Sequence, residues 1–142
     1  MTHDTLLTAA IIFLVLPTVA YGGYFLAGIL RHKKMGGVNF YEYPYAQRLF
    51  RAGHAHAGVW LVLSLVALIF IQYSDLSALW KTILRYGFPF SALFISGGFF
   101  AGAFPLDKKR STPSKGFIFV YVGALMFTLS CLLLAYGLFK AL

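Results

Sequence analysis

The stretch with the densest chemistry is "QRLFRAGHAHAG", residues 47–58. Two arginines, Arg48 and Arg51, lead into two histidines, His54 and His56, and an unbroken apolar run follows. A neutral imidazole carries one lone pair and one N–H. It can therefore ligate haem iron or copper, or act as a hydrogen-bonding strut between helices. In a helix each residue turns the chain by about 100°. Gln47, Arg51, His54 and Gly58 then share one face. His56 lies about 200° from His54, with Arg48 and Ala52 on its side. The helix thus presents two polar stripes, each an arginine nearer its start and a histidine deeper in.

Two readings of the pair stand side by side. A single imidazole in a greasy helix can simply hydrogen-bond a neighbouring helix, and arginines near a span end commonly anchor it at the interface. Polar side chains at membrane depth nevertheless point first to function. Here two histidines are backed by two arginines and surrounded by Ala52, Gly53, Ala55, Ala57 and Gly58, which leave room for a bulky group or a closely packed helix. Haem b suits such a place. Its face is apolar, and Arg48 and Arg51 stand where propionates would emerge. His54 and His56 are the candidate haem- or metal-binding residues, with copper as the other metal that imidazole favours. Zinc would need three or four ligands, and no intramembrane carboxylate accompanies the two histidines. No acid–base pair, nucleophile triad or phosphate loop is visible, so the sequence leaves open whether the chain is an enzyme. Met35 and Met126 are not at ligand spacing with the histidines and read as filler.

These residues need a scaffold suited to lipid. Of the 142 residues, 11% are charged and 60% hydrophobic, and mean hydropathy is +0.78. Soluble domains carry roughly a quarter charged residues. Four runs are long enough for the ~20 helical residues that cross a bilayer: Leu6–Leu30, about Leu49–Tyr73, about Thr82–Leu106, and Gly116–Phe139. The expected fold is all-α: one domain, residues 1–142, forming an integral membrane four-helix bundle. "MTHDT" lacks a basic n-region and the first run is long, so it reads as a retained helix rather than a cleaved signal. The Gly36-Gly37, Pro44 and Pro113 positions mark loops, and Pro17 and Pro89 are candidate kinks. Cys131 reads as a small packing residue.

The net charge of +8 would suggest nucleic acid in a soluble protein. Here the cations sit in short loops between apolar runs, so the expected partners are membrane lipids and no nucleic acid. Arg31, Lys33, Lys34, Arg48, Arg51, Lys108, Lys109, Arg110 and Lys115 fall on one side, and Lys81, Arg85 and Lys140 on the other. The positive-inside rule then places both termini outside. Tyr41, Tyr43, Tyr45, Tyr73, Trp80 and Tyr86 lie near span ends, as interfacial aromatics do. "GGYFLAG" (22–28) and "GGFFAG" (97–102) look alike at matching depths of parallel helices, through duplication or through convergent use of small residues for close contact.

"GHAHAGVWLVLSL" resembles the membrane helix of haem–copper oxidases and nitric oxide reductases whose His-x-His sends its imidazoles to two haems on opposite faces. "PTVAYGGY" (17–24), "FRAGHAHAG" (50–58) and "GGFF" (97–100) together look like a family of small bacterial four-helix membrane proteins. The oxidase core is three arcs of four helices. The resemblance therefore implies a haem-binding homotrimer in a bacterial inner membrane, serving electron transfer, gas binding or haem handling. The chain lacks the further histidines that hold copper in oxidases and their cross-linked tyrosine motif, so oxygen reduction and proton pumping are not implied. "RLFRAGHAHAG" (48–58) is also similar, at Arg48, Arg51 and Ala52, to the membrane-associated eicosanoid and glutathione metabolism proteins. That family implies a trimeric thiol or lipid-thioether enzyme, but the acidic residue of its pattern has no counterpart here. A non-catalytic scaffold or transport component is the third reading.

Overall fold

The computed structural model describes residues 2–31 and 39–142. It holds four long helices: α1 (His3–Arg31), α2 (Pro44–Tyr73), α3 (Ala78–Ala103) and α4 (Ile118–Lys140). Short 3-10 turns at Phe40–Glu42 and Lys115–Phe117 precede α2 and α4, and no strand occurs among the described residues. Four segments, His3–Gly28, Pro44–Tyr73, Ala78–Ala103 and Lys115–Lys140, are long and apolar enough to cross a membrane. The Gly36-Gly37 turn and Lys33, Lys34 and Met35 lie outside the described residues.

α1, α2 and α3 begin earlier than hydropathy suggests, whereas α4 begins at Ile118, two residues later than the expected Gly116. α2 starts at Pro44 rather than near Leu49, with Pro at a first-turn position where its missing N–H removes no helical bond. α3 starts at Ala78 rather than Thr82 and ends at Ala103 rather than Leu106. Amphipathic first turns dilute an apolar average without breaking a helix. Pro17 and Pro89 both lie inside continuous helices.

Packing follows chain order. α1 packs on α2, α2 on α3 and α3 on α4, while α1 and α4 make no close backbone approach. The helices form an open arc rather than a closed square. Small residues bring α3 and α4 together. A Cβ on Gly98 would stand 2.5 Å from the Val120 nitrogen, and one on Gly123 would stand 2.7 Å from the Ile95 nitrogen. One apolar cluster, with Ile12, Leu68, Ile71, Leu84, Phe88 and Leu134, joins all four helices. A second, at the other end, gathers Ala46, Leu49, Phe50 and Ala103 beneath the start of α2.

Both ends of α3 are tied to α4. The Ser114 hydroxyl donates to the Ala101 carbonyl at 2.9 Å, and the Ser114 N–H donates to the Gly102 carbonyl at 3.0 Å. At the opposite end the Asp75 N–H donates to the Gly137 carbonyl at 2.8 Å, with Leu76 seated over Gly137. These contacts hold α3 and α4 in register beside α2, whose first half carries the histidines.

Candidate functional site at the histidine pair of α2

α2 carries its two imidazoles into different interfaces. His54 turns toward α1, where its Nε2 and Cε1 lie against Gly23, and a Cβ on Gly23 would come within 2.9 Å of Cε1. Gly58, one turn further on, approaches α1 as well, 3.9 Å from Val19 when given a Cβ. His56 turns toward α3. Its ring centroid is 4.7 Å from that of Phe99 and 6.4 Å from that of Trp60, nearly parallel to Trp60. Gly53 lets α3 approach this side, since a Cβ there would stand 3.0 Å from the Phe99 Cβ and 3.1 Å from the Ser96 carbonyl.

The two rings differ in how they are held. His56 Nδ1 donates to the Ala52 carbonyl, one turn back, at 2.6 Å. A carbonyl can only accept, so Nδ1 carries the proton and a neutral His56 presents its lone pair at Nε2. Metal-ligating histidines commonly have one nitrogen fixed in this way by a backbone carbonyl or carboxylate, and a histidine that merely packs on its own helix can make the same bond. His54 instead has its Nε2 edge turned onto the backbone of α1.

Around His56 the site is aromatic and polar by turns. Trp60 packs edge-on against Phe127 of α4 at 4.2 Å between centroids, and Phe127 meets Phe88 at 5.7 Å. Other hydroxyls in this layer return to their own helix: Ser64 donates to the Trp60 carbonyl and Ser91 to the Phe88 carbonyl, both at 2.7 Å. Trp60 Nε1 and Ser96 Oγ are buried without a hydrogen-bond partner among the described residues. Most buried polar atoms are paired, so two exceptions near one histidine mark this layer as unusual.

Arg48 and Arg51 are both exposed. The Arg48 guanidinium lies 5.6 Å from the Tyr45 ring centroid. No group of three or more His, Cys, Asp or Glu side chains converges among the described residues. One chain therefore offers a metal one imidazole per interface rather than a cage.

No protein-family model matches the chain, and neither a curated protein nor a solved structure matches it.

Sequence reasoning missed Arg85 as a site residue. Counted with the loop cations, it is in fact buried at 6% exposure two turns into α3. Its Nε donates to Thr5 Oγ1 at 3.0 Å and its Nη1 to Thr82 Oγ1 at 3.2 Å. The available signal was Thr82, one turn before Arg85 on the same face. Thr5, its other partner, lies on a different helix.

Proposed function

We propose that the chain is a haem-binding membrane protein in which His56 is the principal axial ligand. The observation that carries this reading is the Nδ1–H···O=C bond from His56 to Ala52 at 2.6 Å. It orients the ring, sets the tautomer and leaves Nε2 as the donor atom. The surroundings suit a porphyrin, being aromatic and aliphatic, with exposed Arg48 and Arg51 nearer the start of α2 to neutralise carboxylates. Haem b held here would supply one-electron transfer or binding of a diatomic gas. The chain's own residues would orient the ligand nitrogen, exclude water with Phe99, Trp60 and Phe127, and neutralise the carboxylates with Arg48 and Arg51.

A homotrimer in a bacterial inner membrane, termini outside, is the assembly this reading favours. The open arc leaves α1 and α4 unpaired with each other, which suits helix contacts between copies. His54 lies on a different face of α2, with its Nε2 edge against Gly23. Its contact with Gly23 favours a second role for that residue alone, as a packing strut between α1 and α2.

The test is an absorption spectrum of protein purified from haem-replete cells, with metal analysis of the same sample to separate iron from copper. A Soret band is expected, lost or shifted in His56→Ala and less affected in His54→Ala. A colourless, iron-free preparation overturns the proposal.

A further inference from the structure

The histidine layer leaves a separate polar cluster unexplained, at the other end of the arc. Arg85 is more than nine-tenths buried, and its partner Thr5 is fully buried. Thr5 Oγ1 also accepts from Gln72 Nε2 at 2.9 Å. Lys81 Nζ donates to the Gln72 carbonyl at 3.4 Å, adding a second cation. Neither carboxylate nearby is bonded to Arg85: Asp4 is exposed beside His3, at 3.7 Å, and Asp75 pairs with Lys140 at 2.8 Å. Among the described residues no carboxylate pairs with Arg85. A buried cation whose partners are neutral is an incomplete arrangement, because such charges are normally paired.

The space beneath the cluster is a groove of about 330 Å³ between α1 and α3. Thr8 and Ile12 line its α1 wall, Pro89 and Leu93 its α3 wall, and Leu61 its floor. Thr8 lies one turn from Thr5, and Pro89 one turn from Arg85, so the groove begins about one helical turn beyond their hydrogen bond. Pro89 has no N–H to return to the Arg85 carbonyl, which loosens the helix at this level.

We infer that this is a binding site for one anionic phospholipid, its phosphate at Arg85 and Lys81 and an acyl chain in the groove. The charge balance selects the anion. A zwitterionic headgroup would bring an ammonium to a cluster that already holds two cations, Arg85 and Lys81. The cluster joins the first turns of α1 and α3 to the last of α2, at the end of the helices where a headgroup belongs. The site is distinct from the histidine layer and does not depend on haem binding.

Native mass spectrometry of delipidated full-length protein, titrated with phosphatidylglycerol or phosphatidylcholine, tests the inference. The expected result is one retained phosphatidylglycerol per chain, bound at least tenfold more tightly than phosphatidylcholine. Arg85→Gln should abolish the preference and Arg85→Lys should keep part of it. Leu93→Trp, which crowds the groove without touching the polar cluster, should weaken retention and keeps the test open if Arg85→Gln does not fold. Lys109→Gln, in the opposite loop, should change nothing. Equal retention of both lipids, undiminished retention in folded Arg85→Gln or in Leu93→Trp, or loss in Lys109→Gln overturns the site. Displacement of phosphatidylglycerol by equimolar oleate overturns the lipid assignment in favour of a free fatty acid.

Discussion

The imidazole of His54 rests on the bare backbone of Gly23, with its Nε2 edge filling the space a side chain would take. Two residues that looked unrelated in sequence therefore form one joint. α1 approaches α2 at this depth because Gly23 has no Cβ, and His54 occupies the vacated volume. Small-residue contacts of this kind are a principal way that helices associate in lipid, where no hydrophobic drive separates helix from solvent.

Gly23→Ala should therefore loosen the α1–α2 contact, costing about 1–3 kcal/mol as overpacking does. The cost should shrink in the Gly23→Ala, His54→Ala double variant, because the same ring causes the clash. Coupled neighbours show interaction energies of roughly 0.5–3 kcal/mol. Unfolding in mixed micelles measures all four corners of the cycle. Strict additivity would mean that the ring and the glycine do not share this space.

The scaffold was readable from hydropathy, while the site was readable only in part. Runs such as Val59–Ile71 have no polar residue but Ser64, and lipid leaves a backbone like that few options besides a helix. The two-sided placement of His54 and His56 follows from helical rotation alone, and the rings do meet different neighbours. Which neighbour each meets was not legible, because Gly23 and Phe99 are distant in sequence. Arg85 misled for a related reason. A cation near a span end reads the same whether it snorkels outward or turns inward, and its inward partner Thr5 lies eighty positions away.

The paired glycines give a sharper prediction. In the Gly-Gly pair that opens each of the two similar segments only the second glycine is in contact: Gly23 and Gly98 are crowded, while Gly22 and Gly97 have nothing within 4 Å of a Cβ. Gly98→Ala meets backbone, the Val120 nitrogen at 2.5 Å, which cannot rotate away. It should destabilise by about 1–3 kcal/mol or more. Gly97→Ala should be neutral, or stabilising by up to about 1 kcal/mol, since alanine loses less conformational freedom in a helix. Similar thermal stability of the two variants would contradict the packing described for α3 and α4.

Acid should weaken the α2–α3 turn before it weakens the helices. Lys140 donates to Asp75 and holds its carboxyl below the usual carboxylate range. A lowered native value means that the stabilisation is present above the ordinary aspartate value and is lost as pH falls through the native one. The pair is exposed, so the effect should be small. Asp75→Asn should remove this acid dependence yet leave the backbone bond from residue 75 to the Gly137 carbonyl in place. Hydrogen exchange of residues 74–77 between pH 6 and pH 3 reports it. An unchanged acid response in Asp75→Asn would assign the dependence to another carboxylate.

Trp60 separates the structural contribution of the histidine layer from its chemical one. Its ring packs against Phe127 at 4.2 Å and lies over His56, yet its Nε1–H is buried without a partner among the described residues. Trp60→Ala removes the packing and should cost about 3–5 kcal/mol. Trp60→Phe keeps most of the packing and deletes the unpaired donor. The loss of ring area and the relief of a desolvated N–H then oppose each other, and the net change should stay within about 1 kcal/mol. If the N–H serves a ligand at His56, Trp60→Phe should alter the Soret maximum or the ligand-binding rate at nearly unchanged stability. A Trp60→Phe variant as unstable as Trp60→Ala would show that Nε1 is bonded in the folded protein. In that case the layer around His56 would be a finished core, with no donor left for a guest.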